Sequence, residues 1–147
     1  TYDMYVAILS SIKGQMGYTA FFNYLLENDG QHAVLWHCNA GKDRTGIAAM
    51  FILSVLGVDE DTLMQDYLDT NLYRKDKIDK VIAELSRLTD DQRILDRALG
   101  MYGVQKELLQ NCMNYCKQQS GSVIRYTKEY LGLTDKKIEM LKHLYLL

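Results

Sequence analysis

A short apolar run from His32 to His37 leads into a cysteine, a glycine-containing loop and a second apolar stretch. The first run is nearly all apolar, which predicts a strand over residues 32–37 that is buried on both faces. From Thr45 to Gly57 the apolar spacing becomes helical. Because a strand that turns directly into a helix is typical of parallel α/β proteins, we expect an α/β fold with a central, mainly parallel sheet flanked by helices.

The rest of the 147-residue chain has helical spacing. It contains no proline, so glycines and small polar residues must separate the helices. Asp59 and Thr134 are expected to cap helices, and Thr89 with Gln92 forms a predicted capping box. Apolar residues three and four positions apart predict helices near residues 18–26, 45–56, 60–68, 78–85, 89–99, 104–117, 122–131 and 134–147.

One strand cannot form a sheet by itself, and a strand buried on both faces needs neighbours at both edges. Either Tyr2 to Ser10 is a second strand, or the other strands lie outside this chain. We favour the second explanation. Residues 1–147 are therefore expected to form the mostly helical carboxyl-terminal part of a single domain that lacks its amino-terminal strands.

Composition excludes some classes of partner. The net charge of -2 and the isoelectric point near 5.9 argue against a nucleic-acid-binding surface or a polybasic membrane surface. No apolar run approaches the roughly 20 residues that a bilayer-spanning helix needs, so no transmembrane segment is expected. Three irregularly spaced cysteines fit a reducing compartment better than a disulfide framework.

The loop after the predicted strand is suited to hold an anion. Backbone N–H groups from Asn39 to Arg44 can form a concave nest beside the amino terminus of the next helix, and Gly41 allows the tight turn. In this positive environment the pKa of Cys38 should fall to roughly 3.5–7.5, which makes its thiolate the predicted nucleophile. Arg44 can bind two phosphoryl oxygens through its planar guanidinium. The residues expected to bind the phosphoryl group are Asn39, Ala40, Gly41, Lys42, Arg44 and Thr45.

Neighbouring side chains supply the remaining chemistry. The Thr45 hydroxyl can hydrogen-bond the sulfur and ease its departure, and His37 can support the loop through its ring nitrogens. A leaving alkoxide or phenoxide needs a proton, and Asp43 is the acid inside the loop, so Asp43 is the candidate general acid. Lys42 adds positive charge at the mouth of the pocket.

The string "HCNAGKDRTG" contains the cysteine, five residues, arginine and threonine of the protein tyrosine phosphatase superfamily. It resembles most closely the atypical bacterial tyrosine phosphatase family, whose loop has the form H-C-x-A-G-K-D-R-T-G. The segments "LGVDEDTLMQDYLDTN" and "GSVIRYTKEYLGLTDKKIEMLKHLYL" also resemble that family. In this family the loop aspartate, here Asp43, acts as the general acid.

The resemblance implies one phosphatase domain that hydrolyses phosphomonoesters through a cysteinyl-phosphate intermediate. Phosphotyrosine is the first expected substrate, with phosphoserine, phosphothreonine or phosphoinositide as further ones. We expect no metal and no cofactor, a phosphorylated protein or phosphoinositide as partner, and no nucleic acid. The expected location is the cytoplasm, or outside a bacterium after export.

Two other functions fit a cysteine in an anion-binding loop: a non-catalytic phosphate-binding module and a rhodanese-like sulfurtransferase. Intact Cys38, Asp43 and Arg44 argue against the binding module, and Lys42, Asp43 and Thr45 favour phosphoryl chemistry over sulfur transfer. Elsewhere, Cys112 and Cys116 share a helix face but lack metal-ligand spacing, so we interpret them as core residues. The segment "YRKDKIDK" is interpreted as a solvated face, with guidance of an anionic substrate as the alternative. Three residues of "DYLDTN" could line the site or serve helix packing: Asp66, Tyr67 and Asn71.

Overall fold

A computed structural model describes residues 3–147, and this part of the chain contains helices and no strand. In chain order the helices are α1 (Met4–Ser10), α2 (Ile12–Glu27), α3 (Asp43–Val55), α4 (Glu60–Tyr73), α5 (Lys75–Leu85), α6 (Gln92–Tyr102), α7 (Lys106–Ser120), α8 (Val123–Tyr130) and α9 (Asp135–Tyr145). None of them is long and apolar enough to cross a membrane.

Local capping explains where many of these helices begin. The side chains of Asp59 and Thr134 accept backbone N–H groups at the starts of α4 and α9, as predicted. The predicted capping box at Thr89 and Gln92 does not form. Asp91 caps α6 by accepting the Arg93 N–H, while the Thr89 hydroxyl accepts the N–H of Asp91 in the preceding turn.

The predicted α/β fold is wrong for the residues that the structure describes, which form a helical array. Residues 33–38 form neither helix nor strand, and no neighbouring strand pairs with them within 3–147. Their side chains alternate instead of being buried on both faces: Val34 and Trp36 are half-buried, whereas Leu35 is 89% exposed. The suggested second strand over Tyr2 to Ser10 is also wrong, because residues 4–10 form α1; Tyr2 lies outside the described residues.

Helix α3 lies at the centre of the array and contacts α1, α2, α4, α7 and α8. Its apolar residues face several directions because neighbours cover most of its circumference. Burying each large side chain of this kind contributes about 1.5–3 kcal/mol. The buried residues of α3 are Ile47, Ala48, Met50, Phe51, Ile52 and Val55.

Helices α5 and α6 pack against each other, and α5 also contacts α4. Asn71 near the end of α4 ties this region to the segment before α7: its Oδ1 accepts the Val104 N–H at 2.8 Å, and its Nδ2 donates to the Val104 carbonyl at 3.0 Å. The absence of a side chain at Gly103 allows this approach, because a Cβ there would lie 2.4 Å from Asn71 Oδ1. Asn71 therefore has a packing role.

Candidate active site

The predicted anion-binding loop connects the irregular segment over residues 33–38 to α3. Cys38 ends this segment, and α3 begins five residues later at Asp43. Gly41 has φ +65°, in the left-handed region that favours glycine, and a Cβ there would meet nothing within 4 Å. Backbone conformation, rather than lack of space, therefore requires glycine at this position.

The Cys38 thiol is half-buried and surrounded by hydrogen-bond donors. Burial by itself would raise its pKa, but the Thr45 hydroxyl and the backbone N–H groups of Thr45, Ala40 and Lys42 outweigh this effect and lower the pKa to about 6. Donors that stabilise the thiolate more than the thiol have this consequence. At neutral pH the sulfur is therefore mainly a thiolate.

Two of these four donors belong to Thr45 in the first turn of α3. Lys42 occupies the N-cap position, and its side chain makes no capping hydrogen bond. The N–H groups of the first turn have no partner within the helix and are available to an anion. The Thr45 hydroxyl oxygen is buried, and no nitrogen or oxygen atom of residues 3–147 pairs with it, so its proton is available to the sulfur.

Asp43 is fixed by two donors that both bind the same carboxylate oxygen. Its Oδ1 accepts the Tyr5 hydroxyl at 2.6 Å and the Lys42 ammonium at 2.8 Å. The Lys42 side chain is only 7% exposed, so it lies inside the site and its charge is paired with Asp43. Both hydrogen bonds to this carboxylate use Oδ1, so Oδ2 is the oxygen without a donor among the described residues.

A second tyrosine extends this network into the core. Tyr5 is fully buried, and burial followed by its hydrogen bond to Asp43 raises its pKa, so its hydroxyl keeps the proton that it donates. The Tyr67 hydroxyl donates to the Tyr5 oxygen at 2.8 Å, since the single Tyr5 proton is directed to Asp43. The Tyr67 ring packs against Gly46, where a Cβ would lie 3.0 Å from a ring carbon.

Arg44 lies on the exposed side of the first turn of α3. Its backbone carbonyl accepts the Tyr18 hydroxyl at 3.4 Å. Burial raises the pKa of Tyr18, and the nearby Arg44 charge partly opposes this effect. The Arg44 side chain borders a cavity of about 260 Å³, which is lined in addition by Ile8, Lys13, Gly14, Gly17, Tyr18, Phe21, Trp36, His37, Thr45 and Ala48.

The other predicted residues occupy the surface of the loop. His37 is exposed, and its Nδ1 lies 3.3 Å from the Cys38 carbonyl oxygen. Asn39 is exposed, and the Ala40 carbonyl accepts a hydrogen bond from Arg74 at 2.9 Å. Trp36 joins the segment over residues 33–38 to α3 by donating to the Thr45 carbonyl at 3.4 Å.

A second cavity of about 210 Å³ adjoins the loop between α3 and α4. Gly41 and Lys42 border it from the loop, and Asp66 and Tyr67 border it from α4. Elsewhere in the chain, Cys112 and Cys116 are buried free thiols in the core. Within residues 3–147, no group of three or more histidine, cysteine, aspartate or glutamate side chains is arranged to hold a metal ion.

Sequence reasoning missed two residues that contact the loop from a distance. Tyr5 is 38 positions from Asp43, and Arg74 is 34 positions from Ala40. No local pattern identifies either contact. The sequence signal for Arg74 is the alternative interpretation of "YRKDKIDK" as a segment that guides an anionic substrate.

The chain is similar to known proteins. The sequence profile of the Tyrosine phosphatase family matches residues 1–147. A Cupriavidus necator protein whose name assigns it to the tyrosine-protein phosphatases is 44% identical over 52 residues, which are 35% of this chain and 19% of that protein. The triple specificity protein phosphatase PtpB of Mycobacterium tuberculosis is 29% identical over 107 residues, which are 72% of this chain and 33% of PtpB. The aligned parts are thus a third or less of each relative.

Proposed function

Because this chain belongs to the tyrosine phosphatase family, we propose that it hydrolyses phosphomonoesters through a phosphorylated Cys38. The observation that carries the proposal is the position of Cys38 in the loop before α3, beside the buried Thr45 hydroxyl and the loop N–H groups that lower its pKa. A thiolate beside free helix-terminal N–H groups is a nucleophile placed where a phosphoryl group would bind. Asp43 and Arg44 follow in the same turn.

In the first step, the Cys38 sulfur attacks phosphorus, so that an S–P bond forms as the ester P–O bond breaks. Loop N–H groups and the Arg44 guanidinium stabilise the charge on the equatorial oxygens. Asp43 gives a proton through Oδ2 to the leaving oxygen, which departs as an alcohol or a phenol. Asp43 is left as a carboxylate, whose Oδ1 still accepts from Tyr5 and Lys42.

In the second step, water attacks the phosphorus of the cysteinyl-phosphate. Asp43 accepts a proton from this water, the S–P bond breaks, and inorganic phosphate forms. The Cys38 thiolate leaves with the Thr45 hydroxyl as its hydrogen-bond donor. Both the thiolate and the protonated Asp43 are then restored, so the cycle needs neither a metal nor a cofactor.

The proposed substrates are phosphotyrosine first, then phosphoserine, phosphothreonine and phosphoinositides. The name of PtpB describes a phosphatase of three specificities, which supports a wide panel. The test is phosphate release from phosphopeptides of each type and from phosphoinositides by the full-length protein. A thiosulfate assay run beside it tests the sulfurtransferase alternative.

Cys38→Ser is the decisive variant for the covalent step. It should abolish turnover of p-nitrophenyl phosphate, because an unactivated hydroxyl is a far weaker nucleophile than a thiolate. Vanadate or phosphate binding should persist, since the loop donors remain. Substantial turnover by the serine variant would overturn the covalent mechanism, and absence of turnover in the wild type would favour a phosphate-binding module.

A further inference from the structure

Arg74 joins the anion-binding loop to a distant part of the fold. It lies half-buried at the junction of α4 and α5. Its Nη1 donates to the Ala40 carbonyl at 2.9 Å, and its Nε donates to the Tyr102 carbonyl at 2.9 Å. One planar guanidinium thus connects the loop to the last residue of α6.

The contact at Ala40 fixes the orientation of one peptide group. In a trans peptide, the C=O and N–H bonds point in opposite directions. Because Arg74 holds the Ala40 carbonyl, the Gly41 N–H of the same peptide group is directed away from Arg74. The N–H groups of the residues on either side of it, Ala40 and Lys42, both help to lower the pKa of the Cys38 thiol.

This peptide group needs such a restraint because Gly41 follows it. Glycine tolerates positive and negative φ almost equally, so a flip of the preceding peptide group meets little steric resistance. A flipped Ala40–Gly41 peptide would withdraw an N–H and turn a carbonyl oxygen toward the loop interior. The partial negative charge of that oxygen would repel a phosphoryl group.

The second contact anchors the guanidinium itself. Tyr102 ends α6, where carbonyl groups lack helical partners and the helix dipole favours a cation. Arg74 takes part in no salt bridge among the described residues, so no carboxylate there neutralises its charge. Lysine cannot reproduce two donors in a fixed plane.

From these contacts we infer that Arg74 is a positioning residue, which keeps the Ala40–Gly41 peptide group oriented with its N–H available to phosphoryl oxygens. This inference rests on the proposed function, because it assumes that the loop binds a phosphoryl group. It assigns a role in the site to a segment outside the loop motif.

The test compares inorganic phosphate binding by calorimetry in the full-length wild type, Arg74→Met, Arg74→Lys and Arg87→Met. Arg87 is the matched control, since it is exposed near the end of α5 and its side chain makes no hydrogen bond within residues 3–147. We expect Arg74→Met to weaken phosphate binding about tenfold, the scale of one lost hydrogen bond to a charged group. The phosphate affinity of Arg74→Lys should lie between those of Arg74→Met and the wild type, and the affinity of Arg87→Met should match that of the wild type.

Kinetics taken together with the melting temperature separate positioning from a merely structural role. Loss of an oriented donor should lower kcat/KM by the same factor for phenyl phosphate and p-nitrophenyl phosphate, while the melting temperature of Arg74→Lys stays near that of the wild type. Wild-type phosphate affinity in Arg74→Met would overturn the inference and leave the proposed function intact. If Arg74→Met does not fold, full affinity in Arg74→Lys overturns the need for two planar donors. A wild type that binds no phosphate would instead contradict the proposed function.

Discussion

At the residue scale, the carboxylate of Asp43 has two unequal oxygens. Oδ1 accepts from Tyr5 and Lys42, and Oδ2 is the oxygen that acts on the substrate in the proposed reaction. Such a carboxylate matters most for leaving groups that need a proton. Asp43→Asn should therefore slow hydrolysis of phenyl phosphate about 10²–10⁴-fold, with a much smaller effect on an activated aryl ester.

The comparison of the two esters contains its own control. Asp43 also forms an ion pair with Lys42, so its removal could disorder the loop. Disorder would slow hydrolysis of both esters equally. Steady-state rates for the two esters, measured across a range of pH, distinguish these outcomes. Equal losses would remove Asp43 from the general-acid role.

Single residues also determine the pH dependence of the Cys38 nucleophile. Iodoacetamide reacts with the thiolate and not with the thiol. The rate at which it modifies Cys38 should therefore rise with pH and be half-maximal near pH 6. In Thr45→Val the side-chain donor is lost, and the midpoint should move upward toward the ordinary thiol value of about 8.5. The measurement is alkylation rate against pH, followed by mass spectrometry. An unchanged midpoint would show that the hydroxyl does not stabilise the sulfur.

At the element scale, the close approach of α3 and α4 depends on Gly46. Its missing side chain admits the Tyr67 ring, whose hydroxyl supports Tyr5 and through it Asp43. Gly46→Ala should therefore cost about 1–3 kcal/mol of unfolding free energy through overpacking, and it should also lower kcat. Chemical denaturation and steady-state kinetics measure the two effects.

Gly17 in α2 is a matched control for that substitution. A Cβ at Gly17 would meet nothing within 4 Å, so Gly17→Ala should stabilise the protein by about 0.5–1 kcal/mol through helix propensity. If both alanine variants behave alike, contact with the Tyr67 ring does not explain the requirement for glycine at position 46.

The sequence predicts the elements whose causes are local. Spacing and capping residues such as Asp59 and Thr134 predict helices well, because caps and amphipathic faces act within a few positions. The prediction of a strand over residues 32–37 is wrong because an apolar run does not specify which parts of the chain pack against it. The exposed Leu35 shows that one side of this run has no cover within the described residues.

The same distinction applies to the candidate site. The loop motif identifies Cys38 and the donors around it, since they lie within eight residues of one another. It cannot identify Tyr5 or Arg74, because tertiary packing alone brings these residues to Asp43 and Ala40. Lys42 was expected at the pocket mouth and instead lies buried in an ion pair.

At the scale of the whole molecule, the site is assembled from separate parts of the chain. An oxyanion that binds only the assembled loop must stabilise the folded protein. Inorganic phosphate at about 100 times its dissociation constant should raise the unfolding free energy by about 2.7 kcal/mol. Denaturation with phosphate, against chloride at equal ionic strength, tests this. Stabilisation no greater than that by chloride would show that the folded loop has no specific anion site.

The distribution of the site along the chain also has a consequence during synthesis. Cys38 leaves the ribosome before Tyr67, Arg74 and Tyr102, whose contacts hold Asp43 and Ala40. Until α3 forms and packs, the sulfur lacks the donors that lower its pKa, so it remains a weakly reactive thiol toward peroxides and electrophiles. We therefore expect the nascent chain to be protected from oxidation at the very residue that becomes most sensitive once the fold is complete.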